Sequence, residues 1–461
     1  MMQTRSRFGF SPTAWLFAAL FFSTGNFGLL NIYHVRREAQ LLSFVALAVV
    51  FMTSLARPTR RVLDPLLVLM ILLLLRELVI MSTWFDVTNA VVLLAIVYVI
   101  LNADRTVVRS ILVSIVHLAA FFSFMGLVQA VVYFVRPELI DLTTRPYASD
   151  TGSDPIVLNS AWQYLGFNTA GEAIFVLGRT FTRLHSFASE PSALVVTLFA
   201  PGLLALTLGR GYRWLAFVIL LFVVGPVQGG SIWLSCGIGA VLYVYFGATE
   251  RFPRLLLSRA VGVFTMTALL AVIVMLQRID VNDFAGSISS KMVPLGAVST
   301  AFQSKTLSGQ ERLSGLQEAY TWVFAHPFGG ESLPEMPGIA LVFALGAYAG
   351  FAGIVLCIWF YVLLLQQLAD SFRVSTDLWT KVAICGCGGA FLQAFFFNGF
   401  GWLTPAGLMI MALLRSWVTP VNHASGQMPA GRPLWQRLLA STDLSTRRMN
   451  GLLLVARSKK P

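Results

Sequence analysis

The stretch Pro65–Leu75, which reads PLLVLMILLLL, contains no charged side chain. Further uncharged runs lie at Ala90–Leu101, Trp214–Val227 and Ala260–Leu276. The whole chain of 461 residues is 57% hydrophobic and only 12% charged, whereas soluble domains carry about 25% charged residues. Because the runs are continuously apolar and do not alternate, they predict membrane-spanning α-helices and exclude a β-barrel.

Twelve spans are predicted along the chain, and several are shorter than the roughly 20 residues that an untilted spanning helix needs. They cover residues 12–34, 41–56, 65–83, 89–102, 111–135, 191–209, 214–227, 231–247, 260–276, 338–366, 382–398 and 405–418. The expected fold class is all-α, a polytopic transmembrane helical bundle. Its spans form three groups, within residues 1–135, 191–276 and 338–418.

The distribution of basic residues predicts the orientation of this bundle. With the N-terminus in the cytoplasm, 22 of the 33 Lys and Arg fall on cytoplasmic segments, as the positive-inside rule expects. Among the short outer loops, only the first holds basic residues, Arg36 and Arg37. Orientation thus accounts for most of the net charge of +12, and no nucleic acid is expected as a partner. Residues 419–461 are predicted to be a basic cytoplasmic tail that meets the membrane surface.

Two long connecting segments, residues 136–190 and 277–337, face outward in this orientation. Both greatly exceed the usual links of helical bundles, so they are expected to contain short helices and to carry function. The four cysteines lie inside apolar runs and are expected to be buried hydrophobic residues rather than disulfide partners or metal ligands. The sequence therefore predicts no metal site and no cofactor.

The first long loop ends in a charged cluster directly before a predicted span. Arg179, Arg183, His185 and Glu190 fall within this short stretch. The planar guanidinium group of arginine binds phosphate oxygens in pairs, which suits a di-anionic substrate. The alternative is a solvated loop whose arginines meet lipid phosphates. The positive charge of this cluster favours a substrate site, because it lies on the outer side of the membrane, where the positive-inside rule does not require basic residues.

The second long loop ends in a predicted amphipathic helix at residues 312–324, followed by the turn His326-Pro327-Phe328-Gly329-Gly330. Arg312 begins this helix and His326 follows it, so both are candidates for chemistry. The alternative is a structural role for each. A third candidate is Arg76, which lies with Glu77 in the third span. Charge at that depth favours a function, although pairing with a neighbouring helix or extension to the surface would also explain it.

Together, the two loop ends resemble the O-antigen polymerases and O-antigen ligases. The first matches the pattern Arg-x-x-Gly/Ser-x-x-x-x-Pro-Asn/Ser at Arg183, Ser186, Pro191 and Ser192. The second resembles the arginine, amphipathic helix and His-Pro-x-Gly-x-Gly-like segment of the same superfamily, but its two glycines, Gly329 and Gly330, have no spacer between them. Ligases place a His-x-His-Asn-like cluster soon after the glycine turn, whereas this chain has ESLPEM at 331–336. The resemblance is therefore closer to the polymerases.

The resemblance implies a metal-independent, inverting glycosyltransferase at the periplasmic face of the bacterial inner membrane. It would join undecaprenyl-pyrophosphate-linked oligosaccharide repeat units into O-antigen or exopolysaccharide. The implied partners are this lipid-linked oligosaccharide, membrane lipids and a chain-length regulator. The implied catalytic residues are Arg183, Arg312, His326 and Glu190, and Arg179 and His185 beside them are expected to bind the substrate. Arg76 is expected to bind it as well, because it lies toward the outer half of its span and can face the same lipid pyrophosphate. His326 is the first choice for the base that activates the acceptor hydroxyl, and Glu190 is the second.

Three other functions remain open. An O-antigen ligase would transfer finished glycan to lipid A-core. A lipid-linked oligosaccharide flippase or another transporter also has about twelve spans, but usually with short loops. A membrane scaffold such as a chain-length regulator has two spans around a large coiled-coil loop, which this sequence lacks.

Overall fold

The structure is a computed structural model, and it describes part of the chain. The described residues are 12–24, 65–79, 84–103, 105–135, 168–176, 179–186, 194–227, 230–251, 318–319, 321–329, 341–396 and 405–418. Two of the predicted spans, at 41–56 and 260–276, lie outside them, as do Glu190, Arg312 and the tail at 419–461.

The described residues are helical almost throughout. The helices are α1 (Pro12–Thr24), α2 (Pro65–Val79), α3 (Trp84–Asn102), α4 (Arg105–Val135), α5 (Val195–Leu208), α6 (Arg210–Val227), α7 (Gly230–Arg251), α8 (321–325), α9 (Leu341–Val374), α10 (Leu378–Phe396) and α11 (Pro405–Val418). One antiparallel hairpin, β1 (Asn168–Val176) and β2 (Arg179–Ser186), lies between α4 and α5.

Five of the described helices are long and apolar enough to cross a membrane. These segments are Arg105–Val132, Arg210–Val227, Ser231–Ala248, Ala349–Val374 and Leu378–Phe395. Shorter apolar helices coincide with four more predicted spans. The prediction of a helical membrane protein is therefore confirmed, whereas the total of twelve spans stays a prediction.

Two helices change their pitch next to a proline. The π-helical turn Val195–Phe199 at the start of α5 ends two residues before Pro201, and the π-helical turn Val223–Val227 at the end of α6 contains Pro226. Proline has no backbone N–H and its ring displaces the carbonyl four residues back, so the hydrogen-bond ladder must shift at that point. The two prolines thus explain why a π-helical turn interrupts each of these apolar helices.

Helices α7 and α10 approach each other closely through glycine. A Cβ built on Gly389 would lie 2.6 Å from the backbone nitrogen of Gly239, and one built on Gly239 would lie 3.2 Å from the Cα of Gly386. Between apolar helices in a membrane, association depends on such packing because burial in protein and burial in lipid differ little for apolar side chains. The small residues in these two helices therefore set their contact.

The starts of α4, α6 and α10 and the ends of α5 and α11 meet at one end of the bundle. Arg213 pairs with Asp377 at 2.9 Å, the guanidinium of Arg105 lies 5.0 Å from the ring centroid of Trp417, and Trp417 Nε1 donates to Thr207 Oγ1 at 2.7 Å. Other basic residues in the terminal turns of these helices and of α9 are Arg109, Arg210, Arg373, Lys381 and Arg415. We call this the basic end.

Candidate functional site

The first candidate segment forms a strand of the hairpin. Arg183 pairs with Ala170 and Arg179 with Val176, and the register shifts between the pairs at Leu184 and Ser186, beside His185. The expectation of short helices in the loop 136–190 is wrong for residues 168–176 and 179–186, and it stays a prediction for the rest of the loop, which lies outside the described residues. The reason is the run Thr180-Phe181-Thr182, since β-branched and aromatic residues favour extended backbone.

The hairpin lies at the end of the bundle away from the basic end. Strand β2 contacts helix α4 and the π-helical turn Val223–Val227 that closes α6. That turn is separated from Arg213 by most of α6, a helical rise of about 20 Å. The backbone of Arg179 and Arg183 is therefore placed opposite the cluster formed by Arg213, Arg105 and Trp417.

Arg76 also lies toward that opposite end. It stands in the last turn of α2, and only residues 80–83 separate the end of α2 from the start of α3. Helix α3 runs from there to the basic end, where Ser416 of α11 donates to the carbonyl oxygen of Ile100 at 3.0 Å. The short connection keeps the end of α2 beside the start of α3, so the backbone of Arg76 lies far from the basic end.

Of the second candidate segment, the structure describes residues 318–319 and 321–329, and these form the end of the predicted helix and the turn that follows it. Helix α8 ends at residue 325, and the N–H of His326 donates to the carbonyl oxygen of Trp322 at 3.0 Å. The N–H of Gly329 then donates to the carbonyl oxygen of His326 at 3.0 Å, and Gly329 has a φ of 89°. A positive φ is unfavourable for most residues but not for glycine, which explains the glycine at this position. We call residues 326–329 the His326 turn.

The imidazole of His326 is exposed but held in one orientation. Its Nδ1 lies 2.9 Å from the carbonyl oxygen of Trp322, and its ring stacks on the indole of Trp322 with centroids 4.3 Å apart and planes at 22°. A carbonyl oxygen only accepts hydrogen bonds, so Nδ1 carries the proton in this contact. In the neutral ring, Nε2 then has a lone pair available to take a proton. This is the arrangement that a general base requires.

The His326 turn rests on a break in helix α9. Backbone geometry is not helical at Ala349 (φ −126°, ψ 17°) and Gly350 (φ 60°, ψ −150°), although the helix continues on both sides of these two residues. The N–H of Phe351 donates to the carbonyl oxygen of Pro327 at 3.0 Å. The predicted span at 338–366 is therefore divided, and the apolar segment long enough to cross a membrane is Ala349–Val374.

The side chains of α8 secure the same contact. Val323 is buried and would lie 3.2 Å from a Cβ built on Gly346 of α9, and Ala319, on the N-terminal side of α8, is buried as well. The rings of Phe324 and Phe351 meet edge to face at 5.5 Å. At the tip of the turn, Phe328 is 94% exposed. The amphipathic character predicted for this helix is thus used to attach it to α9.

The His326 turn shares the end of the bundle with the hairpin. From Gly350 to Arg373, helix α9 rises by about 35 Å, so the turn lies far from the basic end. The structure thus places the backbone of four candidate residues at the end of the bundle away from the basic end. They are Arg179, Arg183, Arg76 and His326. Glu190 and Arg312 lie outside the described residues, so their part in the site stays a prediction.

Sequence reasoning missed two participants, Trp322 and Gly350. The role of Trp322 was not predicted, because its contact with His326 depends on the helix that joins the two residues. Their spacing of four residues could have indicated the contact, since side chains at that spacing are neighbours on a helix. Gly350 stands in an apolar run with Gly346 and Gly353. Clustered glycines in an apolar run can indicate either helix packing or a break, and only the contact with Pro327 distinguishes the two.

Within the described part of the chain, no three His, Cys, Asp or Glu side chains come together as metal ligands would. Cys357, Cys385 and Cys387 are buried, as predicted, and Cys236 is partly buried. Two polar side chains of α4, Ser123 and Gln129, are fully buried, and neither finds a hydrogen-bond partner among the described residues. We assign them no role.

No protein-family model, no curated protein and no solved structure matches this chain.

Proposed function

We propose that this chain is a polysaccharide polymerase of the bacterial inner membrane. It joins undecaprenyl-pyrophosphate-linked oligosaccharide repeat units into O-antigen or exopolysaccharide by metal-independent, inverting glycosyl transfer at the periplasmic face. The proposal includes twelve spans with both termini in the cytoplasm. The concentration of Arg105, Arg213 and other basic side chains at one end supports this orientation, because such residues are retained on the cytoplasmic side.

The observation that carries the proposal is the orientation of His326. With Nδ1 bound to the carbonyl oxygen of Trp322, Nε2 of the exposed imidazole is the proton acceptor. In the proposed step, Nε2 takes the proton of the acceptor hydroxyl, and the hydroxyl oxygen attacks the anomeric carbon of the donor sugar. The bond from that carbon to the pyrophosphate oxygen breaks, and its electrons leave with the lipid pyrophosphate. Attack from the opposite face inverts the anomeric centre.

Arginines are proposed to stabilise the pyrophosphate as it leaves. Positive groups placed where negative charge develops lower the barrier of such a step. Arg183 and Arg312 have this role, with Arg179, His185 and Arg76 binding the substrate and Glu190 as the second candidate base. The position of the β2 backbone at the same end of the bundle as the His326 turn supports the part assigned to Arg183.

The test is an alanine substitution of each arginine in a strain that lacks the native gene. Arg183→Ala and Arg312→Ala should each abolish long chains while single-repeat products and membrane insertion persist, because chemistry is lost and the bundle is not. Arg109→Ala is the matched control, since Arg109 is exposed at the basic end, and its chains should keep their normal length. Surface polysaccharide is read on gels.

Normal long chains from either arginine variant would overturn the site assignment. The products that accumulate in the strain that lacks the gene, on the surface and on the lipid carrier, separate the other functions. Capped single repeats in the strain that lacks the gene indicate a polymerase, finished polymer that is not transferred to lipid A-core indicates a ligase, and lipid-linked repeats that stay on the cytoplasmic face indicate a flippase.

A further inference from the structure

We infer that Gly350 is a positioning residue, which holds the His326 turn in the place that proton transfer requires. The inference rests on the proposed function, because it gives Gly350 its role through the base His326. Gly350 itself lies in α9, apart in sequence from every residue of the candidate site, and its role depends on its backbone rather than on a side chain.

The backbone of Gly350 adopts a conformation that other residues rarely reach. Its φ of 60° with a ψ of −150° lies where a Cβ meets the backbone of its own residue, so this region is occupied almost only by glycine. A substitution at this position must therefore either accept strain or change the direction of the break.

The turn also lies directly on the Cα of Gly350. A Cβ built there would stand 2.7 Å from the Cα of Phe328 and 2.7 Å from the carbonyl carbon of Pro327, and it would be closer still to the carbonyl oxygen of Pro327. These are backbone atoms that cannot turn away as a flexible side chain could. Any side chain at 350 must push the His326 turn off α9.

One hydrogen bond connects the two segments at this point. Phe351 follows the break, so its N–H is among the first of a helix and has no carbonyl within that helix to bind. The carbonyl oxygen of Pro327 accepts it at 3.0 Å. A shift of the turn breaks this bond and leaves the N–H without its partner at the start of the membrane-crossing segment.

The same shift moves the base. Pro327 directly follows His326 and its ring fixes φ, so the two residues move together. The imidazole is bound and stacked on Trp322 within the same helix and turn, which means that the whole unit is displaced with it. Displacing a catalytic group by about 1 Å can cost on the order of a hundredfold in rate.

The test compares Gly350→Ala with the matched control Gly237→Ala in α7, where a Cβ meets nothing within 4 Å. Each protein is purified in lipid vesicles and supplied with a polyprenyl-pyrophosphate-linked repeat unit. Gly350→Ala should lower kcat by about tenfold or more with KM unchanged, because the base and not the binding of substrate is affected. Gly237→Ala should match the wild type.

A double variant separates positioning from a general effect on folding. If Gly350 acts through His326, then Gly350→Ala added to His326→Ala lowers kcat no further than His326→Ala alone. Hydrogen exchange at the amide of Phe351 provides a readout independent of activity. It should be faster in Gly350→Ala than in Gly237→Ala, because the bond to Pro327 is lost.

The outcomes are distinct. A wild-type protein that does not elongate the repeat unit overturns the proposed function. A His326→Ala variant with wild-type kcat overturns the base and this inference with it. If His326→Ala is slow, the role of Gly350 alone is overturned by any of three results. These are an unimpaired Gly350→Ala, an unchanged exchange rate at Phe351, or a further fall of kcat in the double variant.

Discussion

At the scale of the residue, Asp377 has two tasks at the basic end. Its carboxylate caps the start of α10, because it accepts hydrogen bonds from the backbone N–H and the hydroxyl of Thr380. The same carboxylate forms an ion pair with Arg213 from α6. Desolvation acts to raise the pKa of Asp377, but the bonds from Thr380 and the charge of Arg213 outweigh it and lower the pKa from its ordinary value of 3.8. The ionised carboxylate of Asp377 therefore stabilises the folded protein fully at a pH above 3.8, its ordinary pKa. This stabilisation is lost as the pH falls through the lower pKa of the folded state.

Substitution of Asp377 should separate these tasks. Asp377→Ala loses the cap and the ion pair, and we expect it to destabilise the protein by about 1 kcal/mol, mostly from the cap. Asp377→Ser keeps a capping oxygen, so it should lose less, because a half-exposed ion pair contributes little. Thermal unfolding in detergent, followed by tryptophan fluorescence, measures both. Equal losses in the two variants would show that the ion pair and not the cap is important.

At the scale of the element, the contact between α7 and α10 depends on glycine. Gly389→Ala would place a methyl group against the backbone of Gly239, and overpacking of this kind costs about 1–3 kcal/mol. We expect a lower unfolding temperature for this variant in detergent. Gly237→Ala is the control, since its Cβ faces open space and alanine is a better helix former than glycine by about 1 kcal/mol. An unfolding temperature for Gly389→Ala at or above that of the control would contradict the contact.

The elements also show what local sequence can predict. Long apolar runs were sufficient for the helices, because burial in lipid acts on each span by itself. The end of the amphipathic helix before His326 and its turn were also predicted from local signals, the helical spacing of apolar residues and the proline and glycines that follow. The hairpin was not predicted, because the charged residues Arg179, Arg183 and His185 obscure the strand-forming run Thr180-Phe181-Thr182. The break at Gly350 could not be predicted, since it exists through a contact with Pro327, which lies outside its own helix.

At the scale of the whole molecule, the orientation can be measured directly. In a background without the native cysteines, Phe328→Cys stands at the exposed tip of the His326 turn and Thr376→Cys is exposed at the basic end. We expect a membrane-impermeant maleimide to label Phe328→Cys in spheroplasts and to label Thr376→Cys only after permeabilisation. The reverse pattern would place the basic end outside and contradict the proposed orientation.

The contacts between helices that are distant in sequence could not be predicted. Arg213 and Asp377 are 164 residues apart, and Trp417 reaches Thr207 across 210 residues. Nothing in the local composition pairs them, although the positive-inside rule indicated that they share a side. The candidate site has the same character: its residue types were apparent from the two loop ends, but the helix that supports His326 was not.

The position of the break at Ala349-Gly350 also bears on how deeply the His326 turn lies in the membrane. Arg373 marks the basic end of α9, and the roughly 35 Å of helix between it and Gly350 is slightly more than the 30 Å of a typical hydrocarbon core. A helix of that length, tilted by the usual 20° or so, spans the acyl chains and little more. With the basic end at the cytoplasmic interface, as proposed, the His326 turn would be level with the phosphate groups of the opposite leaflet, the layer that would hold the pyrophosphate of the proposed lipid-linked substrate.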